Sequence, residues 1–150
     1  MSTAVMAAVF MLNPQTETEQ GLPAAIEALK TDYARLCAGN GGSPAFAAGF
    51  VNSANFNADG KPDFVIDSMG FVCQGFDLHF CGESGCRLTV FVSSQNGYDR
   101  AFDAKVQGYG VYRRDGLDIL EVITAEDPCS TGDECGESAA LKVDVKKTDR

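Results

Sequence analysis

Histidine and basic side chains are scarce in this sequence, and tryptophan is absent. The 150 residues include a single histidine, no tryptophan, and 12 lysines and arginines against 21 aspartates and glutamates. One histidine excludes metal sites built from several histidines, and it leaves His79 as the one candidate for histidine-based catalysis. The formal net charge of −9 argues against a nucleic-acid partner, because little in the chain would neutralise a phosphate backbone.

The N-terminal apolar run is too short to cross a membrane, so no transmembrane segment is expected. Residues 4–12 (AVMAAVFML) have the length of the apolar region of a signal peptide. However, the first basic residue is Lys30, and no A-x-A cleavage site follows the run. We expect an exported chain, periplasmic or secreted, with residues 1–20 as a signal-peptide remnant or flexible lead-in and residues 21–150 as one domain. The alternative is that residues 4–12 form a buried helix or strand.

The cysteines also favour an oxidising compartment. Their number is even: Cys37, Cys73, Cys81, Cys86, Cys129 and Cys135. Six cysteines can pair in 15 ways, and the sequence alone does not choose among them. Two pairs enclose the short polar loops GESG and STGDE, and locality favours a bridge across each, Cys81–Cys86 and Cys129–Cys135. That assignment leaves Cys37–Cys73.

Zinc is the alternative use of these cysteines. A site could combine Cys81 and Cys86 with His79 or with the last two cysteines. Structural zinc sites usually have tighter C-x2-C pairs than the C-x4-C and C-x5-C spacings found here. Disulfides are therefore the preferred interpretation.

One helix and a series of short strands are predicted. Apolar residues recur at helical spacing at Leu22, Ile26, Leu29, Tyr33 and Leu36, with Pro23 and Gly39 near the two ends. Further along, polar and apolar residues alternate in 76–80, 87–93 and 141–146, and the run 118–124 is apolar on both faces, as in a central strand. Asp59-Gly60, Asn96-Gly97 and Asp115-Gly116 are typical hairpin turns. These patterns predict an α+β domain in which an N-terminal amphipathic helix packs on an antiparallel β meander of about seven short strands, held together by disulfides.

The segment 55–63, NFNADGKPD, carries the most specific chemistry in the chain. Oxygen-bearing side chains occupy loop positions 1, 3, 5 and 9, and glycine occupies position 6. This spacing lets alternate side chains converge on one hard cation, with a backbone carbonyl as the ligand from position 7. The candidate metal ligands are Asn55, Asn57, Asp59, Lys61 (through its carbonyl) and Asp63.

This segment resembles the calcium loop of FG-GAP and VCBS-type repeats, D-x-N-x-D-G-x-x-D followed by an apolar strand. The resemblance covers about a dozen residues in one copy, so it implies a loop between two strands and a calcium ion, not a propeller. Position 1 is Asn55 instead of aspartate, and fewer charges predict weak binding, on the order of 10⁻⁴–10⁻³ M. The alternative is a hairpin turn stabilised by its own Asx side chains, without an ion. The rest of the chain is similar to small exported bacterial proteins and implies no activity.

A catalytic role for His79 is weighed and set aside. Asp77, His79 and Cys81 are spaced to share one face of a strand, where they would point the same way without converging. Cys81 is also the expected partner of Cys86, and no G-x-S-x-G elbow is present. We therefore expect no enzymatic activity.

An acidic segment between residues 115 and 137 is the candidate partner surface. It holds eight acidic residues and no lysine or arginine: Asp115, Asp118, Glu121, Glu126, Asp127, Asp133, Glu134 and Glu137. Such a segment could attract a basic protein, although most charge runs are simply solvated. The resulting prediction is an exported, non-enzymatic domain with a weak structural calcium site, monomeric or weakly oligomeric. The alternative is a cell-envelope binding or inhibitor module that uses the acidic segment against a basic partner.

Overall fold

The computed structural model describes residues 21–124 and the backbone of residues 141–143. The predicted lead-in 1–20, the pair Cys129–Cys135 and the last five acidic residues of the candidate partner surface lie outside this range. In the part of the chain that the structure describes, no helix combines the length and apolar character needed to cross a membrane.

The domain is α+β with antiparallel sheets, as predicted. The elements, in chain order, are α1 (Ala24–Gly39), β1 (Ser43–Phe46), β2 (Val51–Ala54), β3 (Asp63–Asp67), a 3₁₀ turn (Ser68–Gly70), β4 (Phe71–Gln74), β5 (Cys81–Gly82), β6 (Gly85–Ser94), β7 (Gly97–Val106), β8 (Gly108–Arg114), β9 (Leu117–Ile123) and β10 (Leu141–Val143).

The predicted helix forms, although one of its apolar residues faces solvent. It begins after Pro23, whose carbonyl accepts hydrogen bonds from the amides of Ile26 and Glu27 at 2.9 and 3.0 Å. Ile26, Tyr33 and Cys37 are buried, whereas Leu36 is 48% exposed. At 3.6 residues per turn, Cys37 projects about 20° from Ile26 and Leu36 about 80° from it. Cys37 therefore takes the core position that the apolar stripe assigned to Leu36.

The main sheet is built around β6. β7 pairs along one edge of β6 from Cys86 to Ser94, and β3 and β5 pair along the other edge. β2 extends the sheet beyond β3. All these pairings are antiparallel, and β2–β3 and β6–β7 are hairpins joined at Asp59-Gly60 and Asn96-Gly97, where the sequence predicts turns.

Two smaller sheets complete the fold. β9 pairs with β8 on one side and β10 on the other, so the run 118–124 is a central strand as predicted. The β8–β9 turn is Asp115-Gly116, with φ of 52° and 85°, the left-handed pair that a tight hairpin turn favours. β1 and β4 form a separate two-stranded ribbon.

The main sheet separates two apolar clusters. Val65 of β3 and Val90 of β6 belong to a cluster with Leu120 and Val122 of β9. Their sequence neighbours Phe64 and Phe91 belong to a second cluster that contains the buried face of α1. Since successive side chains in a strand point to opposite faces, β6 is buried on both sides. The alternation of polar and apolar residues at 87–93 therefore does not produce an exposed polar face along residues 88–93, because both faces are covered.

Both disulfide pairings that fall in the described residues are confirmed. Cys37 of α1 is bonded to Cys73 of β4, with Cα atoms 5.6 Å apart. Cys81 is bonded to Cys86 across the β5–β6 turn. These bonds also remove Cys81 and Cys86 as zinc thiolates.

The strand predicted at 76–80 does not form. This segment runs between β4 and β5 without strand pairing, and His79 has a left-handed φ of 53°. Leu78 and Phe80 pack against the apolar cluster under α1 from an irregular segment. Alternation over only five residues is therefore not enough to predict a strand here.

Candidate functional site

The candidate site is the 55–63 segment, which joins β2 to β3. Strand pairing ends at Ala54 opposite Asp63, so residues 55–62 form the connecting loop. Ala58 and Gly60 take left-handed φ values of 55° and 83°, and these reverse the chain. The loop therefore lies between two strands, as its resemblance to the calcium repeats implies.

Asp63 anchors the loop from beneath. Its side chain is fully buried. One carboxylate oxygen accepts a hydrogen bond from the Phe56 amide. The other accepts hydrogen bonds from the Ser93 amide at 2.8 Å and the Ser93 hydroxyl at 2.9 Å. Asp63 thus joins the loop to the far end of β6, and both of its oxygens have protein donors.

Asn57 and Asp59 reach the same serine from above. The Asn57 side-chain amide donates to the Ser93 carbonyl at 2.8 Å and to the Ser93 hydroxyl at 3.1 Å. The Asp59 Oδ2 lies 2.8 Å from the same hydroxyl. Three of the predicted metal-ligating side chains, those of Asn57, Asp59 and Asp63, therefore converge on one atom, Ser93 Oγ.

Asn55 connects the loop to the second sheet. Its side-chain oxygen accepts a hydrogen bond from the Ala58 amide at 2.9 Å. Its backbone amide donates to Asp118 Oδ2 at 2.7 Å, and its carbonyl accepts from the Asp118 amide at 2.8 Å. The start of the loop is therefore tied to β9.

Lys61 neutralises part of the loop's charge. Its backbone amide donates to Asp59 Oδ1 at 2.9 Å, and its ammonium group donates to the Ser94 carbonyl at 3.2 Å. The Lys61 amide, followed by the Ser93 hydroxyl, lowers the pKa of Asp59 below its ordinary 3.8. Asp59 is therefore ionised at neutral pH.

Ser93 is the one member of this cluster that sequence reasoning missed. It lies 30 residues beyond Asp63 in the chain, and loop spacing does not extend to it. The Asn96-Gly97 turn folds β7 against β6, but only the pairing of β3 with β6 brings Ser93 to Asp63. Within the described residues, no group of three or more histidine, cysteine, aspartate or glutamate side chains is placed to hold a metal ion. An ion in this loop would depend on asparagine and backbone oxygens besides the two aspartates.

His79 lies in a solvent-exposed segment. Its side chain is 83% exposed, and Nδ1 lies 3.5 Å from Asp77 Oδ2, on a side chain that is also exposed. The His79 amide donates to Asp77 Oδ1 at 2.8 Å, and its carbonyl accepts from Lys105. The predicted strand face shared with Cys81 was wrong, because residues 76–80 are not a strand. Cys81 is bonded to Cys86 and offers no thiolate.

Three residues of the acidic candidate surface lie in the described range, and each has a partner within the chain. Asp118 faces Arg113 at 3.5 Å in addition to its bond to Asn55. Glu121 accepts a hydrogen bond from the Tyr112 hydroxyl at 3.0 Å. Asp115 is 94% exposed beside Arg114. Of these three side chains, only that of Asp115 is as exposed as a partner-binding surface requires.

Comparisons with known proteins identify no relative. No protein-family model, no curated protein and no solved structure matches this chain. The similarity of residues 55–63 to the FG-GAP and VCBS-type calcium loop rests on the residues themselves and stays a prediction.

Proposed function

We propose that this chain is an exported, non-enzymatic domain whose 55–63 loop binds Ca²⁺ weakly, with the ion in a structural role. The observation that carries the proposal is the convergence of two carboxylates on one hydroxyl. Ser93 Oγ lies 2.8 Å from Asp59 Oδ2 and 2.9 Å from Asp63 Oδ1.

A serine hydroxyl has one proton and can donate it to one acceptor at a time. When the Ser93 hydroxyl donates to Asp63, Asp59 Oδ2 has no hydrogen bond from it, and the negative charge of Asp59 remains. A divalent cation bound by loop oxygens would compensate this charge. Asn55, Asn57 and Asp59 can supply side-chain oxygens and Lys61 a carbonyl, which are the hard ligands that Ca²⁺ prefers.

Asp63 contributes differently from the other candidate ligands. Both of its oxygens are engaged with protein donors, so its part is to supply charge and hold the loop on β6. Only Asp59 has a carboxylate oxygen that loses its donor, Oδ2, when the Ser93 hydroxyl bonds to Asp63. With one such carboxylate, affinity in the range of extracellular calcium modules, about 10⁻⁴–10⁻³ M, is expected. Such a site responds to extracellular calcium concentrations and stabilises the hairpin.

The export part of the proposal is supported by the two disulfides. Disulfides form and persist in oxidising compartments and are rare in the cytosol. A structural rather than catalytic role is supported by the environment of His79, which is open to solvent and whose neighbour Cys81 is held in a disulfide.

Calcium is expected to raise the melting temperature. At 10 mM Ca²⁺, a site of this affinity adds about 1.4–2.7 kcal/mol to the free energy of unfolding, or about 3–10 °C. Differential scanning calorimetry with 10 mM CaCl₂ against 1 mM EGTA measures the shift. Asp59→Asn should abolish most of it, and Asp99→Asn, an exposed aspartate on β7, should leave it unchanged. No upward shift at millimolar calcium would contradict the proposal.

The calcium effect is also expected to follow the ionisation of Asp59. Because the folded-state pKa of Asp59 is lowered below its ordinary 3.8, its carboxylate stays ionised from neutral pH to below that value. The calcium-induced melting shift should therefore be equal at pH 7 and pH 5 and be lost only as the pH falls through the lowered folded-state pKa of Asp59, below 3.8. Calorimetry at pH 7, 5 and 3.5 measures this dependence. A shift that is already halved between pH 7 and pH 5 would contradict a site that depends on the Asp59 carboxylate.

A further inference from the structure

A second feature of the molecule is a cleft at the opposite end of β6 from the calcium loop. It has a volume of about 300 Å³, at the lower end of the range of small-molecule sites. The hairpin of β6 and β7 contributes Arg87, Asp103 and Lys105, and the irregular segment before β5 contributes Leu78, His79 and Phe80. Two of the three charged residues from the hairpin are basic, in a chain whose net charge is −9.

The two basic residues of the cleft lie directly opposite each other. Arg87 of β6 is the register partner of Lys105 of β7, so their side chains are on the same face of the sheet. Like charges at opposite positions of an antiparallel pair are destabilising. An anion bound to both side chains would replace this repulsion by two attractive contacts.

The carboxylates on this face do not balance its cations. Asp103 accepts hydrogen bonds from Arg87 Nε and Nη2 at 2.7 Å each and from Arg100 Nη1 at 3.1 Å, so one carboxylate serves two guanidinium groups. The Lys105 ammonium donates to the His79 carbonyl at 2.9 Å and has no carboxylate partner within the part of the chain that the structure describes. Most other basic side chains in that part pair with a carboxylate of their own, namely Lys30, Arg35, Arg113 and Arg114. The deficit of negative charge therefore lies at this cleft.

The cationic groups can be reached from solvent and are held in position. The Arg87 side chain is 46% exposed, and Lys105 is also exposed. Asp103 takes protons from Nε and Nη2 of Arg87, so Nη1 remains as a donor without an acceptor among the described residues. The Lys105 ammonium has two further protons besides the one that it donates to His79. A guanidinium group that is fixed beforehand lowers the entropic cost of binding.

The opposite wall of the cleft is fixed as well. The Phe80 ring stacks on Tyr33 at 4.2 Å, and the Phe80 carbonyl accepts a hydrogen bond from the Arg87 amide at 3.0 Å. The next residue, Cys81, is held by its disulfide to β6. Leu78 and Phe80 give this wall an apolar surface. Asp77 faces the His79 imidazole at 3.5 Å and does not line the cleft.

We propose that this cleft binds a small organic anion. Its carboxylate or phosphate group contacts Arg87 and Lys105, and its apolar body packs on Leu78 and Phe80. Both head groups are oxyanions that accept charge-assisted hydrogen bonds from guanidinium and ammonium groups. The anion supplies the counter-charge that Asp103 does not provide to Lys105.

The test compares benzoate and phenyl phosphate with benzamide, which has a shape similar to that of benzoate and no charge. Two-dimensional amide NMR of the full chain in EGTA follows each titration at low salt. The anions should shift the amides of residues 78–80, 87 and 103–105 saturably, and the tighter of the two identifies the preferred head group. Benzamide should bind at least about fivefold more weakly than benzoate. Raising NaCl to about 300 mM should weaken the binding of both anions, because salt screens exposed charges.

Three variants separate this site from the general effect of charge. Lys105→Met removes one cation of the cleft and should weaken the binding of the anions about fivefold. Lys105→Arg keeps the charge and should bind them within about twofold of the wild type. Lys30→Met, on α1 outside the cleft, changes the net charge equally and should also stay within about twofold.

Equal affinities for benzoate and benzamide would overturn the proposal, as would equal effects of Lys105→Met and Lys30→Met. The absence of a saturable shift at residues 78–80, 87 and 103–105 with either anion would also overturn it. The calcium site is tested separately, since EGTA is present throughout and none of these variants lies in the 55–63 loop.

Discussion

Replacing Asp63 with alanine is expected to lower the free energy of unfolding by about 3–5 kcal/mol. The carboxylate is fully buried and accepts hydrogen bonds from the Phe56 amide and from the amide and hydroxyl of Ser93. Hydrogen bonds to a charged acceptor contribute more than neutral ones, and the variant leaves two buried backbone amides without an acceptor. Few other single side chains in the described region connect so much backbone.

Urea denaturation in 1 mM EGTA measures this effect without a contribution from calcium. Ser93→Ala removes only the hydroxyl and should cost about 1–2 kcal/mol. Asp63→Asn retains the side-chain volume and one acceptor oxygen. Its loss of unfolding free energy should lie between those of Ser93→Ala and Asp63→Ala, and it can be measured if the alanine variant does not fold. Asp99→Ala, an exposed aspartate on β7, should change stability by less than about 0.5 kcal/mol. One unpaired buried polar group alone costs roughly 1–3 kcal/mol. If the free energy of unfolding of Asp63→Ala were within about 1 kcal/mol of the wild-type value, Asp63 would not be the anchor of the loop.

Much of this fold could be predicted from local sequence signals. The helix follows from an apolar stripe with a proline at its start. The hairpins follow from Asp-Gly and Asn-Gly dipeptides, whose glycines take the positive φ that few other residues accept. The position of β9 in the centre of its sheet follows from a run that is apolar on both faces. In each case the residues that determine the element lie within the element itself or next to it in the sequence.

The features that could not be predicted depend on distant packing. Alternation at 76–80 favoured a strand, but Phe80 stacks on Tyr33 of the helix, and the segment stays unpaired until β5 begins at Cys81. Ser93 joins the candidate site only because β3 pairs with β6. Ser68 is buried in the folded protein, although no local pattern in the sequence distinguishes it from a surface serine.

The Cys37–Cys73 bond occupies a different environment from the Cys81–Cys86 bond. Cys37 is fully buried under the helix, and a Cβ atom at Gly42 would collide with the sulfur of Cys73, so backbone lies directly against this bond. The bond ties α1 to β4 across 36 residues of chain, whereas Cys81–Cys86 spans 5. Since a disulfide restricts the unfolded chain more when its loop is longer, the two bonds should differ in their effect on stability.

Removing the longer bridge is therefore expected to cost about twice as much as removing the shorter one. From loop length alone, Cys37→Ala with Cys73→Ala should lose about 4 kcal/mol and Cys81→Ala with Cys86→Ala about 2 kcal/mol. Urea denaturation of the two double variants measures the difference, and a thiol assay confirms that the other bridges are intact. Equal losses would show that restriction of the unfolded chain is not what these bonds contribute. A loss well above 4 kcal/mol for the first pair would add the packing of the buried sulfurs to the entropic effect, because that bond, unlike the one at the β5–β6 turn, lies inside the apolar cluster beneath the helix.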